Sequence, residues 1–340
     1  MMLFRSARKN DLEAIHQLAE SSGVGMTTLP KDIELLKKRL ALSSASFNKK
    51  INSPGNEYYL FVLEDPTNGR VVGTSAIEAA VGHETPFYSY KLSKRTRICH
   101  SLKIRSDYEV LNLVNDNQGH SEICTLFLDQ QHRRSNNGLL LSRARFLFIA
   151  QHTTRFAPII IAEMRGISDD EGRSPFWDQV GYHFFHMSFS EADRLTLATN
   201  KQFIADLMPR NPVYVKLLNP SAQEVIGKPH PSTAPAMKIL LNEGFRYNQY
   251  VDIFDGGPTI EAPRDHIHTV AASRLMTVKN IIDEVSGKRF LIANTLLDFR
   301  ATIAQVVFNE EQPFCILSHE TAALLQIKCG DQVRIAPLLL

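Results

Sequence analysis

The residues best suited to binding chemistry lie between positions 123 and 150. Residues 123–128 form a short apolar run that predicts a buried strand. Residues 139–150 are apolar at helical spacing and predict a helix. The turn between them carries two cations and three small polar or flexible residues: Arg133, Arg134, Asn136, Asn137 and Gly138. Because the first amides of a helix have no partner within it and the helix dipole favours negative charge there, this turn predicts a phosphate-binding site.

The spacing within this turn is more specific than that of a generic glycine-rich loop. Arg133, Asn136 and Gly138 fall at the positions of an R-x-x-G-x-G signature, which resembles the coenzyme A pyrophosphate loop of the acyl-CoA N-acyltransferase superfamily. Asn136 stands where glycine is usual, and asparagine tolerates the left-handed conformation better than other non-glycine residues. Two of the three glycines of a dinucleotide-binding G-x-G-x-x-G are absent. The alternative is an ordinary strand–turn–helix with a solvated basic turn.

Composition limits the class of protein. A length of 340 residues predicts two or three domains. The net charge of +2 is too small to indicate nucleic acid or an anionic membrane as a partner. No apolar run approaches the roughly 20 residues of a membrane span, and the charged start predicts no signal peptide. The four cysteines form no C-x-x-C pair, and no cluster has metal-ligand spacing. We therefore expect a reduced, cytoplasmic protein without a metal.

The rest of the first half predicts the elements that position the turn. Helices are expected at 12–20, 33–42 and 175–180, and strands at 3–6, 58–64, 70–80, within 87–113, at 159–163 and at 182–189. This order of elements matches the N-acyltransferase superfamily. The resemblance implies a splayed pair of central strands that admits the pantetheine arm. It also implies a bulged strand that offers a backbone amide to the thioester carbonyl.

A weak internal repeat indicates a second half. Residues 176–184 (FWDQVGYHF) and 239–247 (ILLNEGFRY) both read as short helices that end at glycine followed by an aromatic residue. A further strand is expected at 251–254. The G-D-x-V-R-I ending is typical of a tight turn into the last strand of a small barrel.

The predicted fold class is α/β (α+β), with tandem N-acyltransferase-like halves around mixed sheets and a small C-terminal β-barrel-like module. The predicted domains are an acyltransferase-like domain with the pyrophosphate loop, a shorter half that carries His230, and the β-rich module, at 1–190, 191–262 and 263–340.

His230 is the strongest candidate for proton transfer. It lies between Pro229 and Pro231, which fix the backbone on both sides and exclude a helix there. Histidine exchanges protons near neutral pH, and amide formation from a thioester requires the amine to lose a proton and the thiolate to gain one. The alternative is a surface or packed histidine in a proline-rich loop.

Five other residues are weaker candidates. Cys124 could act as a nucleophile, but a packed, inert cysteine fits a buried-type strand better. Glu163 and Arg165 could bind the charged ends of a substrate or pair with each other. Asp252 and Asp255 could attract a guanidinium or belong to a solvated turn.

Longer motifs extend the resemblance over most of the chain. The segments GMTTLP, SEICTLFLD, IAEMRG, SPFW, FIADLMP, VIGKPHPSTAPA, EGFRY and VDIFDGGPT, in this order, resemble the arginine N-succinyltransferase family. The resemblance implies that the histidine of H-P-x-T-A-P-A, here His230, is the catalytic proton donor. It also implies that Leu126 contacts succinyl-CoA. Since a leucine side chain forms no hydrogen bond, that contact would use the backbone amide as charge develops on the thioester oxygen.

The resemblance implies transfer of succinyl from succinyl-CoA to the α-amine of L-arginine, giving N2-succinyl-L-arginine and CoA in arginine breakdown. The expected mechanism is direct attack in a ternary complex. The alternatives are another acyl-CoA or acceptor such as ornithine, or a non-catalytic arginine- or CoA-binding regulator, which Asn136 favours. A homodimer is the default expectation.

Overall fold

The computed structural model describes residues 1–23, 26, 28–169, 171–198, 202–309 and 311–338. Gly25 and Thr27 of the GMTTLP segment lie outside the described residues.

The strands of the described chain are β1 Leu3–Ser6, β2 Tyr58–Asp65, β3 Arg70–Glu78, β4 Ser89–Cys99, β5 Ile104–Val114, β6 Ser121–Leu128, β7 Ile159–Glu163, β8 Val213–Tyr214, β9 Arg246–Val251, β10 Pro258–Pro263, β11 Arg274–Ile282, β12 Lys288–Asn294, β13 Arg300–Phe308, β14 Phe314–Ser318 and β15 Gln332–Pro337. The helices are α1 Leu12–Ser21, α2 Ile33–Asn48, α3 Asn137–Gln151, α4 Pro175–Gln179, α5 Tyr182–Phe185, α6 Phe189–Ala198, α7 Gln202–Leu207, α8 Pro220–Val225, α9 Ala234–Asn242, α10 His268–Ala272 and α11 His319–Leu325.

The strands join into one mixed sheet. Its order is β12-β15-β11-β14-β13-β1-β2-β3-β6-β7-β10-β9-β4-β5-β8, and β6 and β7 pair in parallel while their other neighbours are antiparallel. The strand β1 joins the two parts of the sheet, because it pairs with β2 on one side and β13 on the other. The fold is therefore mixed α/β, as the sequence predicts.

Apolar clusters cover both faces of the central strands. On one face α3 contributes Phe146, Leu147 and Phe148 to a large core that also holds Phe61 and Phe299. On the other face α1 and α2 pack against β2, β3 and β6 in a second cluster, whose members include Ile15, Leu36, Leu40, Tyr58 and Cys124. This arrangement places the helix that follows the predicted phosphate loop on the side opposite α1 and α2.

Two irregularities of β6 open the sheet. The β3–β6 register shifts between Thr74 and Ala76, and Thr125 opposite that shift has a left-handed φ of 57°. A β-branched residue is strained there. Tyr58 and Thr28 hold its hydroxyl, at 2.9 Å from the Tyr58 hydroxyl and 3.2 Å from the Thr28 carbonyl. The β6–β7 pairing extends only over Ser121 and Glu122, beyond which the strands diverge. The bulged strand and the splayed pair that the resemblance implies are therefore confirmed.

The predicted helix 33–42 continues to Asn48 as α2. Its polar second half packs against β2, because the Ser43 and Ser46 hydroxyls accept the backbone N–H groups of Leu60 and Tyr58 at 2.9 and 3.1 Å. These hydrogen bonds hold both buried serine side chains against β2.

The predicted strands at 182–189 and 251–254 are wrong. The first region forms α5 and the start of α6, because Phe185 and Phe189 pack with Trp177 in a cluster under helices. At the second, β9 ends at Val251, and the Asp252 carboxylate accepts the N–H groups of Phe254 and Asp255 in a turn. The two copies of the sequence repeat thus lead into different elements, a helix and a strand, and the tandem halves are not confirmed.

The C-terminal strands close a small barrel. β12 pairs with both β15 and β13, and β11 and β14 complete the ring, with β11 and β14 parallel. Val278, Ile292, Leu317 and Val333 are buried inside it. The small C-terminal barrel predicted from the sequence is therefore found.

Candidate active site

The loop before α3 adopts the conformation that the sequence signature predicts. Ser135 and Asn136 have left-handed φ values of 54° and 66°, so asparagine takes the backbone geometry usual for glycine. The buried Asn137 side chain donates to the His132 carbonyl at 3.0 Å, and the Asn137 N–H donates to the Arg134 carbonyl at 3.0 Å. Asn137 therefore braces the loop from inside.

The start of α3 presents several backbone donors. The first helical hydrogen bond runs from the Leu140 N–H to the Asn136 carbonyl at 2.9 Å, and Asn136 makes no side-chain cap. Within the described residues no backbone or side-chain acceptor receives the N–H groups of Ser135, Asn136, Gly138 or Leu139. Arg133 and Arg134 are exposed beside them. The loop thus combines unsatisfied amides, a helix dipole and two cations, which suits a diphosphate.

Neither the backbone conformation at position 138 nor the packing around it requires a glycine. Its φ is not in the left-handed region, and a Cβ built there would meet only Leu128 Cδ2 at 3.9 Å, an ordinary van der Waals distance. A glycine that folding does not require allows a ligand to approach the backbone closely.

One cavity of about 700 Å³ joins the loop to the bulged strand and the proline-rich loop. All seven site residues predicted from the sequence line it: Leu126, Arg133, Arg134, Asn136, Asn137, Gly138 and His230. Its volume is in the range of ligand-binding clefts. The donors of the loop lie at one part of the cavity and the gap between β6 and β7 at another, so an extended molecule with an anionic end and a reactive end fits it.

His230 is held by its own loop. Its N–H donates to the Arg165 carbonyl at 2.7 Å, which ties the proline-rich loop to the chain after β7. The Ser232 N–H donates to His230 Nδ1 at 3.2 Å, and the Ser232 Oγ lies 2.7 Å from the same nitrogen. Because Nδ1 accepts a hydrogen bond, the neutral imidazole carries its proton on Nε2. The side chain is thereby oriented as an Nε2–H donor.

Replacing Ser232 with alanine should reduce kcat by about 3- to 10-fold, the effect of one lost hydrogen bond. The Ser232 backbone N–H would still hold Nδ1, so the effect stays below that of removing the histidine. Steady-state kinetics should show an unchanged KM for the acyl-CoA. Ser221→Ala removes an exposed hydroxyl at the start of α8 and serves as the control; equal kcat values for the two variants would contradict this role of Ser232.

Two of the weaker candidates, Cys124 and Asp255, lie in surroundings that suit a structural role. Cys124 is buried, and burial raises the pKa of its thiol, so the thiolate that a nucleophile needs is disfavoured. The buried Asp255 carboxyl accepts the N–H groups of Gly166 and Gly257 at 2.7 and 2.8 Å and organises the turn after β9. Burial, together with the neighbouring Asp252, raises the pKa of Asp255.

Sequence reasoning did not single out Thr125 or Ser232. Ser232 lies two residues after His230, where a serine turn is recognisable. Thr125 offers no comparable signal, because β-branched residues rarely adopt a left-handed conformation.

Comparison with known proteins identifies the family to which this chain belongs. Residues 2–269 match the family model described as arginine N-succinyltransferase beta subunit, and residues 274–337 match that of its C-terminal domain. The chain belongs to the arginine N-succinyltransferase beta subunit family. The arginine N-succinyltransferase of Photorhabdus laumondii is 43% identical over 99% of this chain and 98% of its own length. The arginine N-succinyltransferase subunit beta of Pseudomonas aeruginosa is 44% identical over the same shares.

The solved structures include a member of the same family. The arginine/ornithine succinyltransferase subunit AI from Pseudomonas aeruginosa aligns with a TM-score of 0.90 at 37% identity, over 99% of both chains.

The described residues of the present chain contain no helix that meets the length and apolarity of a membrane span. They also contain no group of three side chains able to hold a metal ion.

Proposed function

We propose that this chain is an arginine N-succinyltransferase, which transfers succinyl from succinyl-CoA to the α-amine of L-arginine and releases N2-succinyl-L-arginine and CoA in arginine catabolism. The observation that carries the proposal is the single cavity that joins the amide loop at Gly138, the bulged strand at Leu126 and His230. Family membership supports the same reaction.

Each part of the cavity has a role in direct attack within a ternary complex. The amides and arginines of the loop hold the CoA diphosphate, and the Leu126 N–H polarises the thioester carbonyl as negative charge develops. The amine nitrogen forms the new C–N bond and loses a proton, while the C–S bond breaks and the thiolate gains one. His230, presented as an Nε2–H donor, protonates the thiolate or relays the amine proton.

A thiol-release assay over a small panel tests this function. Succinyl-CoA and acetyl-CoA are each combined with arginine and ornithine, and we expect the highest kcat/KM for succinyl-CoA with arginine. Ornithine is the second candidate acceptor, because it appears in the name of the Pseudomonas subunit AI. A higher kcat/KM with acetyl-CoA would contradict the assignment of succinyl-CoA as the acyl donor. CoA binding without thiol release from any pair would show that the chain is a non-catalytic regulator.

We further propose a cytoplasmic homodimer of three-domain chains divided at 1–190, 191–262 and 263–340. The boundary between the two family matches, at 269 and 274, supports a separate C-terminal module. The middle segment supplies His230 to the cavity that the first segment forms. Light scattering of the full chain measures the oligomeric state.

A further inference from the structure

The bulge in β6 carries a residue type that its backbone does not favour. In the register of β3 and β6, Thr125 and Leu126 together lie opposite the single residue Ser75. A bulge whose first residue is left-handed normally has glycine at that position. Thr125 occupies it with a φ of 57°, where a β-branched residue is strained. Because glycine would make the same turn without strain, a threonine here indicates that its side chain has a use beyond the turn itself.

The Thr125 hydroxyl ties the bulge to β2 and to the segment after α1. It donates to the Thr28 carbonyl at 3.2 Å, and the Tyr58 hydroxyl lies 2.9 Å from it. Burial raises the pKa of Tyr58 to about 12, so the phenol keeps its proton and donates to Thr125. The Thr28 hydroxyl in turn accepts the Thr125 N–H at 3.2 Å. The side chain and the N–H of Thr125 are therefore both held, which fixes the left-handed turn.

The peptide group after Thr125 is held by a second threonine, Thr74 of β3. The Thr74 hydroxyl donates to the Thr125 carbonyl at 3.0 Å. That carbonyl belongs to the same planar peptide group as the Leu126 N–H, and in a trans peptide the two point in opposite directions. Fixing the carbonyl therefore fixes the direction of the N–H. Accepting a hydrogen bond also polarises the peptide group, which makes its N–H a stronger donor.

The hydrogen bond to the bulge accounts for a polar side chain at position 74. Thr74 is fully buried within β3, where valine would fill the same space without a hydroxyl that needs a partner. Among the described residues, its hydroxyl bonds to the Thr125 carbonyl alone. Leu126 lines the large cavity, whereas Thr74 does not. Any effect of Thr74 on the site therefore passes through the peptide group that carries the Leu126 N–H.

We propose that Thr74 and Thr125 are positioning residues for the Leu126 N–H, which polarises the thioester carbonyl in the proposed function. The inference rests on that function. An oxyanion donor is most effective when its direction is set before the reaction, because no reorganisation then accompanies the appearance of charge. Thr74 sets the plane of the donating peptide group, and Thr125 sets the turn that precedes it. Removing either hydroxyl should therefore affect turnover more than substrate binding.

Thr74→Val and Thr74→Ser separate this role from packing. Valine keeps the volume and loses the hydroxyl, so we expect kcat to fall about 10-fold, a fraction of the roughly 10²- to 10³-fold cost of losing an oxyanion donor entirely. The KM for succinyl-CoA should stay unchanged. Serine keeps the hydroxyl and loses a buried methyl group, so it should unfold at a lower temperature than wild type and yet keep wild-type kcat. A merely structural threonine would not separate activity from stability in this way.

Thr302→Val is the matched control for the valine substitution. Thr302 is a buried threonine of β13, and its hydroxyl also donates to a main-chain carbonyl, that of Met2 at 2.7 Å. It does not line the cavity. We therefore expect wild-type kcat for this variant.

Thr125→Gly and Thr125→Ser test the second residue. Glycine adopts the left-handed turn without strain, so this variant should fold. We expect its kcat to fall about 10-fold, the effect of the lost hydrogen bonds to Tyr58 and Thr28. Serine keeps the hydroxyl and should keep wild-type kcat. Thiol release from succinyl-CoA with saturating arginine measures kcat for every variant, and thermal unfolding measures stability.

These variants can overturn the proposal in two ways. Wild-type kcat in Thr74→Val or in Thr125→Gly would overturn the role of that threonine. Equal losses of kcat in the valine and serine variants of Thr74 would also overturn its role, because packing alone would then explain the loss. Should Thr74→Val not fold, Thr125→Gly decides the proposal by itself. Wild-type protein without thiol release would overturn the proposed function instead.

Discussion

Replacing His230 with alanine should lower kcat by about 10²- to 10⁴-fold, the usual contribution of a positioned general acid or base. The imidazole is presented as an Nε2–H donor by the Ser232 N–H, and it lines the cavity that also holds Leu126. Thiol release from succinyl-CoA with saturating arginine measures the effect. CoA binding by calorimetry should stay within about twofold of wild type, because the proposed function assigns the diphosphate to the loop before α3 and not to His230.

His319→Ala is the matched control for this prediction. His319 is exposed on the C-terminal barrel, at the start of α11, and does not line the cavity. We expect wild-type kcat for it. Wild-type turnover in the His230 variant would show that the thiolate acquires its proton from another donor, such as solvent.

Replacing Gly138 with aspartate should raise the KM for succinyl-CoA by about 100-fold. Two like charges about 4 Å apart near a protein surface repel by roughly 4 kcal/mol, and side-chain rotation relieves part of that repulsion. The same substitution should leave the folded state as stable as before or slightly more stable, because an acidic residue in the first turn interacts favourably with the helix dipole. The space around the Cβ position also accommodates a side chain. Loss of affinity without loss of stability is the expected signature.

Ile33→Asp places a carboxylate in the first turn of α2 and is the control for the added charge. Ile33 is exposed and does not line the cavity, so its substitution should leave the succinyl-CoA KM unchanged. Kinetics together with thermal unfolding measure both quantities. If Gly138→Asp binds succinyl-CoA as tightly as wild type, the diphosphate lies away from this loop.

Local sequence information was sufficient for the conformation of the loop before α3 and for the helix itself. The turn residues are types that adopt left-handed conformations and leave amides exposed, and the predicted helix 139–150 differs from α3 by a few residues at its ends. His230 was a candidate from sequence because two prolines fix its backbone and its chemistry suits proton transfer, and the structure places it in the cavity. The loop conformation and the choice of His230 both depend on residue type and immediate sequence neighbours.

What local sequence patterns did not predict depends on distant contacts. The strain at Thr125 is tolerated only because Tyr58 and Thr28 hold its hydroxyl. The strands β6 and β7 part after two pairs, which the family resemblance implied but no local pattern encodes. The segment 182–189 is rich in aromatic residues, which favour strands, but the cluster around Trp177 packs them on helices there. In each case tertiary packing decided the outcome.

The position of β1 has a consequence for synthesis of the chain. Phe4 lies opposite both Leu63 of β2 and Ala301 of β13, so β1 gains its second partner only after β13, far later in the chain, has been synthesised. Until then one edge of β1 exposes its main-chain N–H and C=O groups. We infer that the sheet of the nascent protein stays incomplete until β13 has emerged, which makes that interval the period when a chaperone would matter most.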